Sequence, residues 1–108
     1  MDSTTVPITE EQSLYLHRLQ AAVHRAHGCG ALHECSNVVS VMLSGGRWWS
    51  GEVETFQLIG HAQAQRCFAW GFYEGRRFLA HAILDQPPVD SPSGAVMFVL
   101  AIRTARRR

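Results

Sequence analysis

Apolar and polar positions alternate most clearly between Gln65 and Gln86, where QRCFAWGFYEGRRFLAHAILDQ reads as two apolar runs joined across Glu74-Gly75. In the first run Phe68, Trp70 and Phe72 fall on one side and Cys67, Ala69 and Gly71 on the other, the period of two expected of a strand. The second run sets Phe78, Ala80, Ala82 and Leu84 against Leu79, His81 and Ile83. Neither run has a continuous polar side. The hairpin is therefore expected to be covered on both faces, one by helices and the other by a loop, a ligand or a second chain.

Upstream, residues 1–8 form a polar lead-in containing Pro7, expected to be flexible, and residues 9–108 form a single domain. Thr9 followed by Glu10, Glu11 and Gln12 is a capping box, which starts a helix at Glu10. Leu16, Leu19, Val23 and Ala26 then recur at helical spacing with Tyr15 and Ala22 beside them, and Gly28 is placed to end the helix. His17, Arg18, His24 and Arg25 lie on the opposite side. Cys29 to Asn37 reads as a connector, Val38 to Leu43 as a first strand ended by Ser44-Gly45-Gly46, and Trp49 to Ile59 as a second strand. Val53 and Phe56 differ in parity, which implies a bulge near Glu54 or Thr55. Gly60 to Arg66 is a connection with room for one helical turn at Ala62 and Ala64.

Downstream of the hairpin, Gln86-Pro87-Pro88-Val89-Asp90 cannot continue a ladder. Ser91 then caps, and Pro92 opens, a last helix from Ser93 to about Arg107. Val96, Met97, Phe98, Val99, Leu100, Ala101, Ile102 and Ala105 make it apolar nearly all round, the mark of a helix that is buried or lies at an interface. A strand over Ala95 to Ile102 is the competing assignment. The order helix, four strands, helix gives an α+β fold: a four-stranded antiparallel sheet with the N- and C-terminal helices packed on one face, a two-layer sandwich.

At 108 residues the chain supports one core, burying only about 65% of its unfolded surface, so a large cavity would leave little of it. The chain is 46% hydrophobic and 18% charged, short of the roughly 25% charge usual in soluble domains. A surface so short of charge favours completion by association, and a homodimer is expected. The formal charge is +1 and there is no lysine, which argues against the broad basic face that nucleic acid needs. Arg103 and Arg106-Arg107-Arg108 are the basic cluster. Charge at the negative end of the last helix explains them first, and a phosphate or acidic partner second. Three cysteines without a framework spacing imply free thiols in a reducing compartment. With no secretory pattern and no apolar run long enough to span a membrane, a cytoplasmic protein is expected.

One set of residues resembles a known pattern. Trp49-Ser50-Gly51-Glu52-Val53-Glu54-Thr55-Phe56-Gln57-Leu58, Gly60-His61, Cys67-Phe68-Ala69-Trp70, and Pro88-Val89-Asp90-Ser91-Pro92 with Ala95-Val96 are similar to a pattern in small bacterial proteins with no assigned function. The resemblance covers the second half of the chain. It implies a soluble bacterial protein and carries over no activity, cofactor or site residue.

Candidate chemistry lies in three places. His24, His27, Cys29, His33 and Cys35 have the donor types tetrahedral zinc takes. They lack a paired Cys-x-x-Cys or His-Glu-x-x-His spacing, so a solvated histidine face with inert thiols is favoured, and neither metal nor cofactor is implied. Cys67 with His61 or His81 would make a nucleophile and base, although a cysteine on the small side of a strand is more simply core. Glu52 and Glu54 alternate onto one face as a carboxylate pair, or as charges on a wet edge. The aromatic set of Trp48, Trp49, Phe56, Phe68, Trp70, Phe72 and Tyr73 is the better lead. Trp48, Trp49, Trp70 and Phe72 are candidates to line a pocket for a small apolar or aromatic ligand, with dimer core as the alternative use.

Two classes of function follow. The favoured one is a non-enzymatic homodimeric interaction or small-molecule-binding module. The other is a small hydrolase or isomerase-like enzyme with a pocket around Trp70, His61 and His81 and acids from Glu52 or Glu54, for which no nucleophile, base and orienting group stand at a recognisable spacing.

Overall fold

In a computed structural model that describes residues 9–106, the Thr9 capping box is formed. Thr9 Oγ1 accepts from the Gln12 amide at 3.1 Å, and Gln12 Oε1 accepts from the Thr9 amide at 3.0 Å. Helix α1 follows over Glu10–His27 and ends at Gly28, whose φ of 69° is the left-handed stop a glycine adopts without strain. Leu19, Ala22 and Val23 are its buried residues, while Ala26 is exposed. The expected flexible lead-in of residues 1–8, and Arg107 and Arg108 of the basic cluster, lie outside the described residues.

Four strands then form an antiparallel sheet in the order β1-β2-β3-β4, with β1 Gly30–Met42, β2 Trp48–Ile59, β3 Arg66–Glu74 and β4 Arg77–Leu84. Strand β1 absorbs most of the stretch expected to be a connector. Leu32 to Asn37 are exposed and mostly polar, so no apolar alternation announced a strand there, yet Gly30 to His33 pair with β2 from Ile59 to Phe56. The bulge lies on β1, between His33 and Cys35, and not on β2. The differing parity of Val53 and Phe56 has another cause: each faces a different layer. Gly60 to Gln65 holds no helical turn, although Ala64 is buried.

The last element is the helix, not the strand. α2 spans Pro92–Arg106, with Ser91 Oγ accepting from the Gly94 amide at 3.0 Å. The expected α+β fold with its antiparallel sheet is thus the one observed, but the two helices do not share a face. Leu19 and Val23 of α1 pack with Phe56, Leu58, Cys67 and Ala69. Ala95, Val96 and Val99 of α2 pack with Val39, Val41, Val53, Phe68 and Trp70. Cys67 and Phe68, and again Ala69 and Trp70, are adjacent in β3 and belong to different cores. The sheet is therefore the middle of three layers.

Side-chain size explains this division. The face under α1 is thin: Cys67, Ala69, Ala80 and Ala82 let the helix approach closely. The other face carries Phe68 and Trp70, which the small and β-branched residues of α2 fit around. Each large side chain so covered contributes about 1.5–3 kcal/mol. Among the described residues, no helix is long and apolar enough to cross a membrane.

Gly71 completes the thin side. A Cβ built there would lie 2.3 Å from Cζ of Phe78, whose ring covers the glycine from the neighbouring strand. Gly71→Ala is expected to displace that ring and lower stability by about 1–3 kcal/mol, read as a lower midpoint in urea denaturation with the m-value retained.

Candidate functional site

The ladder between β2 and β3 runs from Gln57↔Arg66 to Glu54↔Ala69 and stops. Beyond it, β1 and β2 stay paired as far as Met42↔Trp48, and β3 and β4 as far as Glu74↔Arg77. The two hairpins thus part from a common base. The Gly71 amide, left without a strand partner on that side, donates to the hydroxyl of Tyr15 at 2.9 Å. Trp49 and Trp70 meet edge to face across the parting, ring centroids 6.1 Å apart.

A cleft of about 390 Å³ occupies the parting. Tyr15 of α1, Trp49 and Glu52 of β2, Trp70 and Phe72 of β3, His81 of β4 and Arg103 of α2 line it, with Val96, Val99 and Leu100 as an apolar wall. Its volume falls within the roughly 300–1,000 Å³ of small-molecule sites. The rings are fixed by one another. His81 lies 5.2 Å from the Trp70 centroid and 5.6 Å from that of Phe72, stacked on the latter at 30°.

Burial, and after it the nearby Arg103 guanidinium, holds the His81 imidazole below its ordinary pKa, so it stays neutral to lower pH. Glu52 is shifted the other way. Desolvation leads, followed by the charge of Glu54 and a hydrogen bond shared with it, and His33 partly offsets them. Tyr15 is raised first by burial, against the lowering effect of the Gly71 N–H, with Glu54 and Glu52 adding to the rise. Because Tyr15 accepts from Gly71, its own O–H remains to donate. The cleft therefore offers an imidazole with a lowered pKa, a phenol donor, a carboxyl with a raised pKa, and a guanidinium.

Glu54 is only 1% exposed, and its carboxyl finds hydrogen-bond partners on β1. His33 Nε2 donates to Glu54 Oε1 at 2.8 Å and Ser36 Oγ donates to the same oxygen. His33 and Ser36 are three apart, so a regular strand would point them to opposite faces. The β1 bulge restores them to one. The trio is not a catalytic triad: serine and carboxylate both meet Nε2, and the serine proton is committed to the acid. Glu52 and Glu54 do come together as the alternation predicts.

Other sequence candidates are dispersed. Trp49, Trp70 and Phe72 line the cleft, whereas Trp48 stands opposite Met42 and is exposed. Phe56 and Phe68 are core, and Tyr73 accepts from Arg18 Nη1. Cys67 pairs with Leu84, not with His81, whose partner is Trp70. Cys67 and His81 lie on opposite faces of the sheet, and burial, with Cys29 second, pushes the Cys67 thiol up to about 12. His61 is also outside the cleft, its Nδ1 accepting from the amides of Gln63 and Ala64. His27 donates to the Ala82 carbonyl at 2.8 Å, His24 reaches the Cys29 carbonyl, and Cys35 contacts Asn37. Among the described residues no group of three His, Cys, Asp or Glu is placed to hold a metal. Tyr15 was missed as a site residue, and Arg103 was placed only in the basic cluster, with a phosphate or acidic partner as its second explanation. On the helical pattern Tyr15 is one more core position, and nothing local points it at Gly71.

The folded pKa of His81 lies below its ordinary 6.5, so near that pH the unfolded chain binds more protons than the native one. The stability it contributes is full above pH 6.5 and is lost as pH falls through the folded value. Urea midpoints of wild type and His81→Gln compared across that window should differ in slope, the variant losing less stability on acidification. Compared with known proteins, the chain matches no family model, no curated protein and no solved structure.

Proposed function

We propose that this protein is a small-molecule-binding module whose ligand is planar and largely apolar and lies in the cleft between β2 and β3. The observation that carries the reading is the convergence of Trp49, Trp70, Phe72 and His81, from three strands, on one concave space. Polar contacts at its edges, from Tyr15, Glu52 and Arg103, orient the ligand. A binding function is favoured over catalysis because the nucleophile and base candidates, Cys67, His61 and His81, do not assemble. The free thiols of Cys29, Cys35 and Cys67 accord with a reducing compartment.

A second copy of this chain is the partner we propose for the outer edge of β1. Val38 and Met42 of β1 are 82% and 62% exposed, as is Trp48 of β2 beside Met42 at 61%, and among the described residues no strand pairs with the outer edge of β1. Cys35 to Met42 holds neither charge nor proline, the usual means of blocking an edge. A neutral apolar surface is complementary to itself, and antiparallel pairing about a two-fold axis satisfies both edges at once.

Titration of the protein with indole as an aromatic probe, followed by isothermal titration calorimetry, should give a saturable heat of binding, and Phe72→Ala, at a half-buried position, should weaken that binding about tenfold with far-UV circular dichroism unchanged. Absence of a saturable heat of binding in wild type would defeat the cleft reading. For the partner, native mass spectrometry at micromolar concentration should give twice 12.0 kDa, and Val38→Glu should return the monomer. A wild-type monomer removes the dimer.

A further inference from the structure

We infer that the cleft selects an aromatic monocarboxylate, its carboxylate held by Arg103 and its ring laid against Trp70, Phe72 and His81, an inference that rests on the small-molecule reading above.

Arg103 is the cationic member of the cleft wall. The ion pairs of the described residues join His33 with Glu54 and Arg66 with Glu34, so none engages Arg103. It lies close enough to His81 to oppose protonation of the ring. That leaves a guanidinium fork beside a neutral imidazole, a donor set matched to a planar carboxylate, which takes parallel N–H bonds from arginine. A neutral ligand would leave this fork unused.

The opposite side of the cleft fixes the rest of the class. Glu52 is the carboxyl of the wall and sits beside buried Glu54, so a second negative group on the ligand would meet repulsion there. A dianion such as a phosphate ester would have one cation to balance two charges. A hydroxyl suits this end instead: it accepts from the free O–H of Tyr15 and donates to Glu52. Between the two polar ends the walls are rings, which fit a flat unsaturated body better than a branched aliphatic one. The ligand class is therefore a hydroxylated aromatic acid with a single negative charge.

The test compares 4-hydroxyphenylacetate with its neutral counterpart 4-hydroxyphenylacetamide, by isothermal titration calorimetry on the full chain. Wild type should bind the acid at least about tenfold more tightly than the amide, the worth of a charged hydrogen bond. Arg103→Gln, at an exposed position, should abolish that preference by weakening the acid about tenfold or more, with far-UV circular dichroism unchanged. Arg103→Lys keeps the charge without the fork and should fall between the two. Equal affinity of wild type for acid and amide, or an acid preference that survives in Arg103→Gln, overturns the inference and leaves the cleft reading standing. Binding of neither compound, together with no binding of indole by the same calorimetry, overturns both.

Discussion

Strand β3 has one thick side and one thin side, and the layers arrange themselves around that difference. Cys67, Ala69 and Gly71 give α1 a shallow surface, shallow enough at Gly71 for the Phe78 ring to lie on the backbone. Phe68 and Trp70 on the reverse stand too tall for a helix to lie flush along the whole strand. α2 instead seats its small residues over β1 and β2, with Val39, Val41 and Val53 beneath it, and packs on β3 through Phe68 and Trp70. Phe72 and His81 are left half-covered at its flank. The cleft is a consequence of this mismatch in size as much as of the parted strands.

The parting of β2 from β3 leaves backbone groups that must find partners elsewhere, since an unpaired buried N–H costs about as much as a lost hydrogen bond. Tyr15 supplies one partner, and by accepting from Gly71 it becomes a fixed donor at the cleft. At the base of the parting, Glu54 puts a carboxyl into the core, a costly placement unless the acid is paired and hydrogen-bonded. His33 and Ser36 meet both needs, and both reach it because the β1 bulge turns them to one face. This arrangement ties the outer strand to the second at the point where the sheet divides. The cleft thus stands on rigid elements, with its rings packed against one another, which is the condition for binding without a large ordering cost.

Catalysis asks for more than such a space. The histidine that enters the cleft is stacked on Phe72, Cys67 is on the other face, and the Ser36 hydroxyl beside His33 donates its hydrogen bond to the Glu54 carboxyl. The donors and rings that do converge on the cleft are what the proposed binding reading rests on.

The alternation of Phe68, Trp70 and Phe72 with Cys67, Ala69 and Gly71 determined the central hairpin. Capping at Thr9 and Ser91 set the helix starts, because each of these rests on contacts within a few residues. From these the α+β class followed. The first half of β1 was invisible, since its exposed edge residues carry no apolar period, and its strand state comes from pairing with β2 alone. Which face each helix covers was also undecided, because two amphipathic helices and a sheet apolar on both sides are compatible with either layering. Only the tertiary structure, by fitting small residues against large ones, chose three layers. It also brought Tyr15, Glu52, His81 and Arg103 from four separate elements to one space, a convergence that no local pattern encodes.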